Sequence, residues 1–155
     1  MWTILNNKIP IGDNLLKHAQ HRPFWCCLCK NNNEDVDHLF LACQATKDLW
    51  SSILSTFPSQ NSWRGLIVKD AWPTWWTNAA PTKARNLPLL ICWAIWIARN
   101  RYIFQNIAPH WPSIVAHILT NYNIIPEDEE TSTPIIIVPE AINFSQPWAF
   151  FDDST

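Results

Sequence analysis

The chain is 155 residues long, enough for one domain of ordinary size or two very small ones, and too short for a large multidomain enzyme. Hydrophobic residues make up 48% of it, while eleven tryptophans and twelve prolines beside two glycines argue against disorder and against glycine-rich phosphate loops. The net charge of −2 is unevenly spread: residues 1–104 hold eleven cations and six acids, residues 105–155 seven acids and no cation, so affinity for anionic partners is expected of the first part only.

Trp2, Ile4 and Leu5 open a short helix that breaks at Pro10-Ile11-Gly12, and Asp13 is placed to cap a second through Leu15 and Leu16. Pro23 to Lys30, with closely spaced cysteines, resists regular structure and leads into the polar Asn31–Asp35, which predicts a loop organised around something bound. Leu39, Phe40, Ala45, Leu49, Trp50, Ile53, Leu54 and Phe57 recur at three-to-four spacing and predict one amphipathic helix ending before Pro58. Residues 58–86, with Pro58, Gly65, Pro73 and Pro81 among Trp63, Trp72, Trp75 and Trp76, predict an aromatic loop whose rings pack back onto the helices.

From Pro88 to about Asn106 the chain is apolar on every face, which predicts a buried central helix with Trp93 and Trp96 one turn apart. Its apolar run, Leu87–Ala98, is short of the roughly twenty residues a membrane span requires. A third helix begins at Pro112 or Ser113, puts Ile114, Val115, Ile118, Leu119 and Tyr122 on one face, and ends before Pro126. Glu127 to Pro134 has linker composition, and Ile135–Val138 and Trp148–Phe151 then show strand preference in a β segment that is cut short. The expected fold is mostly α: a small helical domain built around a metal site, with an acidic linker and a truncated β segment. Its expected divisions are 1–57, 58–125 and 126–155.

Met1-Trp2-Thr3-Ile4 lacks the basic start of a signal peptide, which predicts an intracellular protein with no membrane role. Five cysteines in a reducing compartment point to metal binding or burial. Cys26, Cys29, His38 and Cys43 form the pattern C-x2-C-x8-H-x4-C. Zinc takes four soft or borderline ligands in a tetrahedron, and a Cys-x-x-Cys turn sets two thiolates at the right separation. Three thiolates and a neutral imidazole around a dication leave one negative charge and no position for water, so one structural Zn2+ is expected. Cys27, between two ligands, is expected to point away; His18 and His21 are expected on the surface, and Cys92 in the core.

Trp2 to Pro10, Asp13-Asn14-Leu15, Cys26-Cys27-Leu28-Cys29, Glu34, His38-Leu39-Phe40-Leu41-Ala42-Cys43 and Trp50 together resemble the zinc-binding domain of plant non-LTR (LINE-type) retrotransposon reverse transcriptases. Trp93 to Phe104 is similar to the segment that bridges this domain to a ribonuclease H-like domain in those polyproteins. Cys27 stands where the family usually has proline. The resemblance implies that Cys26, Cys29, His38 and Cys43 are the metal ligands, and it extends the expected location to the nucleus. It also matches Trp148 to Ser154 to the first ribonuclease H strand, with Asp152 as that fold's first carboxylate and Asp153 replacing a glycine.

Two-metal hydrolysis needs several converging carboxylates, and one carboxylate with no polymerase palm predicts a non-catalytic fragment. Lys8, Lys17, Arg22, Lys30 and Lys47, with Trp25 and Phe24 beside the first ligand, offer phosphate contacts and stacking for weak RNA or DNA binding. Glu34, Asp35 and Asp37 in the same loop oppose it. The alternative is a protein–protein module, self-association included, using an exposed surface of Trp63, Trp72, Trp75 and Trp76.

Overall fold

The computed structural model describes residues 2–6, 8–11, 25–57, 63–78 and 82–125. Asp13 and its expected helix, Lys17, His18, His21, Arg22 and Phe24, the acidic stretch 127–134, both expected β segments and Asp152 lie outside these residues. Among the described residues the chain is mostly helical with no strand; Trp25 and Asn33 form an isolated antiparallel bridge.

Helix α1 (Trp2–Leu5) is one turn, closed by the Lys8 N–H donating to the Thr3 carbonyl at 2.7 Å. Ile4 in the helix and Ile9 and Ile11 beyond it are buried. The helix expected across Leu39 to Phe57 is instead two elements. A π-turn (His38–Ala42) runs to Cys43, which leaves helical geometry at φ −62°, ψ 130°, and α2 (Gln44–Leu54) starts afresh. The Cys43 N–H bonds back five residues to the His38 carbonyl at 2.7 Å, while the Lys47 N–H and Thr46 hydroxyl both donate to the Cys43 carbonyl at 2.9 Å. The wide turn swings His38 and Cys43 to one side and still buries Leu39, Phe40, Leu49, Trp50 and Ile53. Apolar periodicity records burial, which the break leaves intact.

The expected aromatic loop of residues 58–86 contains a helix, α3 (Val68–Asn78), with Pro73 inside it, followed by a 3-10 turn (Thr82–Asn86). Asp37, 31 residues away, accepts the Val68 N–H at 2.7 Å and so satisfies a donor at the start of α3. Val68, Ala71 and Trp75 share the buried face, and Pro73 is exposed. Helix formation here is won by tertiary packing over the proline penalty.

The rings do pack back: Trp50 stacks on Trp63 at 4.9 Å between centroids, and Trp75 lies 6.0 Å from Trp50. The indole N–H groups of Trp63 and Trp75 donate to the carbonyls of Phe40 at 3.0 Å and Ala84 at 2.9 Å. Both rings are buried, so neither contributes to an exposed aromatic surface. Trp72 and Trp76 stack on each other at 6.0 Å with the Arg85 guanidinium over Trp76.

Helix α4 (Leu87–Gln105) carries Pro88 in its first turn, where the missing N–H is harmless. Its last turn closes on Asn106 in the left-handed region at φ 55°, with the Asn106 and Ile107 N–H groups donating to the carbonyls of Tyr102 and Arg101. It is not buried on every face: Trp96 is in the core, whereas Trp93 is 36% and Phe104 57% exposed. Helix α5 (Trp111–Ile124) begins one or two residues ahead of the expected start, because His110 accepts the Ser113 N–H through Nδ1. It buries Ile118 and Tyr122.

Helix α5 packs on both α4 and α2, the π-turn lies on α2 and α4, and α1 lies against α3. One cluster of buried side chains runs from Ile4 to Tyr122, so the core crosses residue 57 without interruption. No described helix is long and apolar enough to cross a membrane.

Candidate metal centre

The segment 25–35 has no regular secondary structure; Cys26 is buried in the core with Leu28 and Cys29 packed against it, and hydrogen bonds set its turn. The Cys26 N–H donates to the Asn32 carbonyl at 2.7 Å, and the Lys30 N–H returns to the Cys26 carbonyl at 2.8 Å. Lys30 closes the turn in the left-handed region at φ 58°. This brings Cys26 and Cys29 to the same side of a knuckle. The other half is held by Asp35, whose carboxylate accepts the His38 N–H at 2.6 Å and starts the π-turn.

Together these two pieces bring Cys26, Cys29, His38 and Cys43 to one point, with all four donor atoms within 4.8 Å of one another. Cys26 and Cys43 are separated by 3.8 Å between sulfurs, and Cys29 Sγ lies 3.3 Å from His38 Nε2. A tetrahedron with Zn–S ~2.3 Å and Zn–N ~2.0–2.1 Å has S···S edges of about 3.8 Å and S···N edges of about 3.5 Å. The donor set therefore fits a tetrahedral zinc in chemistry, and these two edges are close to those of such a tetrahedron. Cys26 and Cys43 are fully buried, His38 is buried and Cys29 half-buried.

In the protonated pair, Cys26 donates to the Cys43 sulfur, which with burial pushes the Cys26 thiol far above the usual range. The same bond, helped by the N–H groups of Thr46 and Ala45 at the start of α2, brings Cys43 down to about 5. Neighbouring thiols sharing a proton at a helix start are already disposed to give a thiolate.

Cys27 is outside the cluster, as expected: its sulfur is 4.0 Å from a Glu34 carboxylate oxygen, and burial, then Glu34, pushes its thiol up to about 12. Cys92 is buried in α4, and burial raises it to about 12. Neither is a metal donor here.

A pairing near the centre was missed by sequence reasoning, which singled out Glu34 but not its partner Arg99. Glu34 is buried at 4% exposure and Arg99, in the middle of α4, at 2%. The Arg99 Nη2 reaches Glu34 Oε1 at 2.5 Å and Nε reaches both carboxylate oxygens at 3.2 Å, while Nη1 donates to the Pro10 carbonyl at 3.4 Å and to Asn100 at 3.1 Å. One guanidinium thus ties the knuckle, the segment after α1 and α4 together. The available signal was weak: Arg99 directly follows the apolar run, but Arg101 stands two residues on.

Of the candidate nucleic-acid residues, Lys8, Lys30 and Lys47 are exposed and Trp25 is 58% exposed; Lys17 and Arg22 lie outside the described residues. Of the opposing acids, Glu34 is paired with Arg99, while Asp35 and Asp37 accept the His38 and Val68 N–H groups and keep their charge, Asp35 at the exposed surface. Lys30 stands 5.7 Å over the Tyr102 ring.

Residues 1–50 match the sequence model of a family described as zinc-binding in reverse transcriptase. No curated protein and no solved structure matches the chain. The family match and the Cys/His cluster together fit a zinc-binding region of a reverse transcriptase.

Proposed function

We propose that this chain is a non-catalytic zinc module of a LINE-type reverse transcriptase polyprotein, in which Cys26, Cys29, His38 and Cys43 hold one structural Zn2+. The observation that carries the reading is the convergence of those four donors, within a segment matched to a zinc-binding reverse-transcriptase family. Zinc supplies a fixed tetrahedral centre when bound. The chain's own residues fill all four positions, so no water is activated there. Cys43 and His38 bring α2 and the π-turn to the knuckle, and the Glu34–Arg99 pair attaches the knuckle to α4. Binding free energy at such a centre is folding free energy, because the unfolded chain has no preformed site.

Protein purified without chelator is expected to carry one zinc per chain by elemental mass spectrometry. Cys29→Ser and His38→Ala should each lose the metal together with helical circular dichroism. A well-folded wild type that holds no metal would end this reading.

The module's partner is single-stranded RNA or DNA, bound weakly through Trp25 and the cations Lys8, Lys30 and Lys47, with Lys17 and Arg22 adding to them. What supports this is the exposure of Trp25 and of Lys8, Lys30 and Lys47, with the nearby Glu34 charge offset by Arg99. Three to five phosphate contacts at about −0.7 each give a slope of log K against log salt between about −2 and −3.5. Trp25→Ala should remove a stacking contribution of ~1–3 kcal/mol without changing that slope. A slope near zero would dismiss the nucleic-acid role and leave zinc purely structural.

A further inference from the structure

Helices α4 and α5 form a hairpin, and a cleft of about 400 Å³ opens between them. Its walls are almost wholly apolar, with Trp93, Ile97, Ile107 and Ile114 prominent, and Arg101 and His117 also line it. Trp93 and Ile107 are 36% and 43% exposed, so the cleft presents large apolar side chains to water. A half-covered apolar groove of this kind is where another chain segment gains most by burial.

Something on the same chain meets its requirements. The described residues end at Ile125, immediately beyond α5, and thirty residues follow. The first nine, 126–134, contain Glu127, Asp128, Glu129 and Glu130 and no apolar residue after Pro126; the next four are Ile135, Ile136, Ile137 and Val138. Helix α5 is 14 residues, about 21 Å at 1.5 Å per residue. Nine residues can reach about 30 Å at ~3.3 Å each. The segment can therefore turn back at Ile125 and bring Ile135–Val138 anywhere along the cleft. Charge is complementary as well: residues 105–155 carry seven acids and no Lys or Arg, whereas Arg101 lines the cleft.

We propose that Ile135–Val138 of this chain docks into the α4–α5 cleft, with the carboxylates of residues 127–130 passing the Arg101 side. The docked segment shields Trp93 and Ile107, and it competes with any external partner for the same groove.

The test uses the full zinc-loaded chain with a photoreactive p-benzoylphenylalanine replacing Ile137, irradiated at submicromolar concentration and mapped by peptide mass spectrometry. Links within one chain to α4 or α5 are the expected result. Links joining two chains, growing with concentration, would give the cleft to a second copy and overturn the proposal. A photoproduct yield no higher than in urea would overturn it equally. In parallel, Ile136→Asp with Ile137→Asp should open the cleft and raise the fluorescence of an added apolar dye severalfold at unchanged zinc content. An unchanged dye signal contradicts docking.

Discussion

Replacing Arg99 by methionine keeps most of the aliphatic stem and deletes the guanidinium. Its partner, Glu34, is then left at 4% exposure without the cation that compensates its charge, the Cys27 thiol lying 4.0 Å from its carboxylate. The wild-type pair is near-complete: three short contacts join guanidinium and carboxylate, and Nη1 is used by Pro10 and Asn100. Breaking a buried pair from one side costs ~3–5 kcal/mol, because the remaining charge keeps its desolvation penalty and loses its compensation. Against a total of ~5–15 kcal/mol, that is a large fraction of the stability. It corresponds to a fall in Tm on the order of 15–30 °C for a unit of about 100 residues. Because Cys26 and Cys29 sit in the loop that Glu34 anchors, zinc should also dissociate more readily in a chelator competition.

The assay is denaturant unfolding of the zinc-loaded protein for Arg99→Met, Glu34→Leu and the double variant. Each single change should be severe, and the double variant should recover much of the loss, since two apolar side chains replace two compensated charges. Single variants that each lose under ~1 kcal/mol would refute the reasoning, because that is the behaviour of a solvent-screened surface pair. Strictly additive losses would refute the coupling.

Trp75→Phe should destabilise more than Trp50→Phe in thermal unfolding. The first change orphans the Ala84 carbonyl that Trp75 binds at 2.9 Å, costing ~1–3 kcal/mol beyond packing, while the Trp50 indole N–H is buried with no acceptor to lose. At the end of α4, Asn106→Gly should be neutral or stabilising and Asn106→Val destabilising by ~1–2 kcal/mol, because a β-branched residue does not tolerate φ 55°. Cys92, raised from 9.0 to about 12 by burial, binds its proton more tightly folded than unfolded. Its contribution is present in full below pH 9 and lost as pH rises from about 9 to about 12. Cys92→Ala should flatten that part of a stability–pH curve, and a curve of unchanged steepness would contradict the assignment. Iodoacetamide at pH 8 should leave Cys92 of the folded protein unmodified.

Sequence spacing alone was enough to pick out the four side chains that the structure brings within 4.8 Å of one another, because zinc chemistry restricts both ligand type and loop length, and those restrictions are local. The extents of α4 and α5 were legible for a similar reason: proline in the first turn and a long apolar run are local signals. Three things were decided only by the tertiary structure. Helix α3 exists around Pro73 because Asp37 satisfies its first N–H and Trp75 buries against Trp50, contacts made across tens of residues. The break at Cys43 exists because a sulfur has to reach the cluster, and apolar periodicity carries no record of such a turn. Glu34, quoted in the family resemblance, and Arg99 are 65 residues apart, and neither carries any sign of the other in the sequence. Only burial in a common low-dielectric site makes them a pair, and that is a property of the folded chain, which no local pattern encodes.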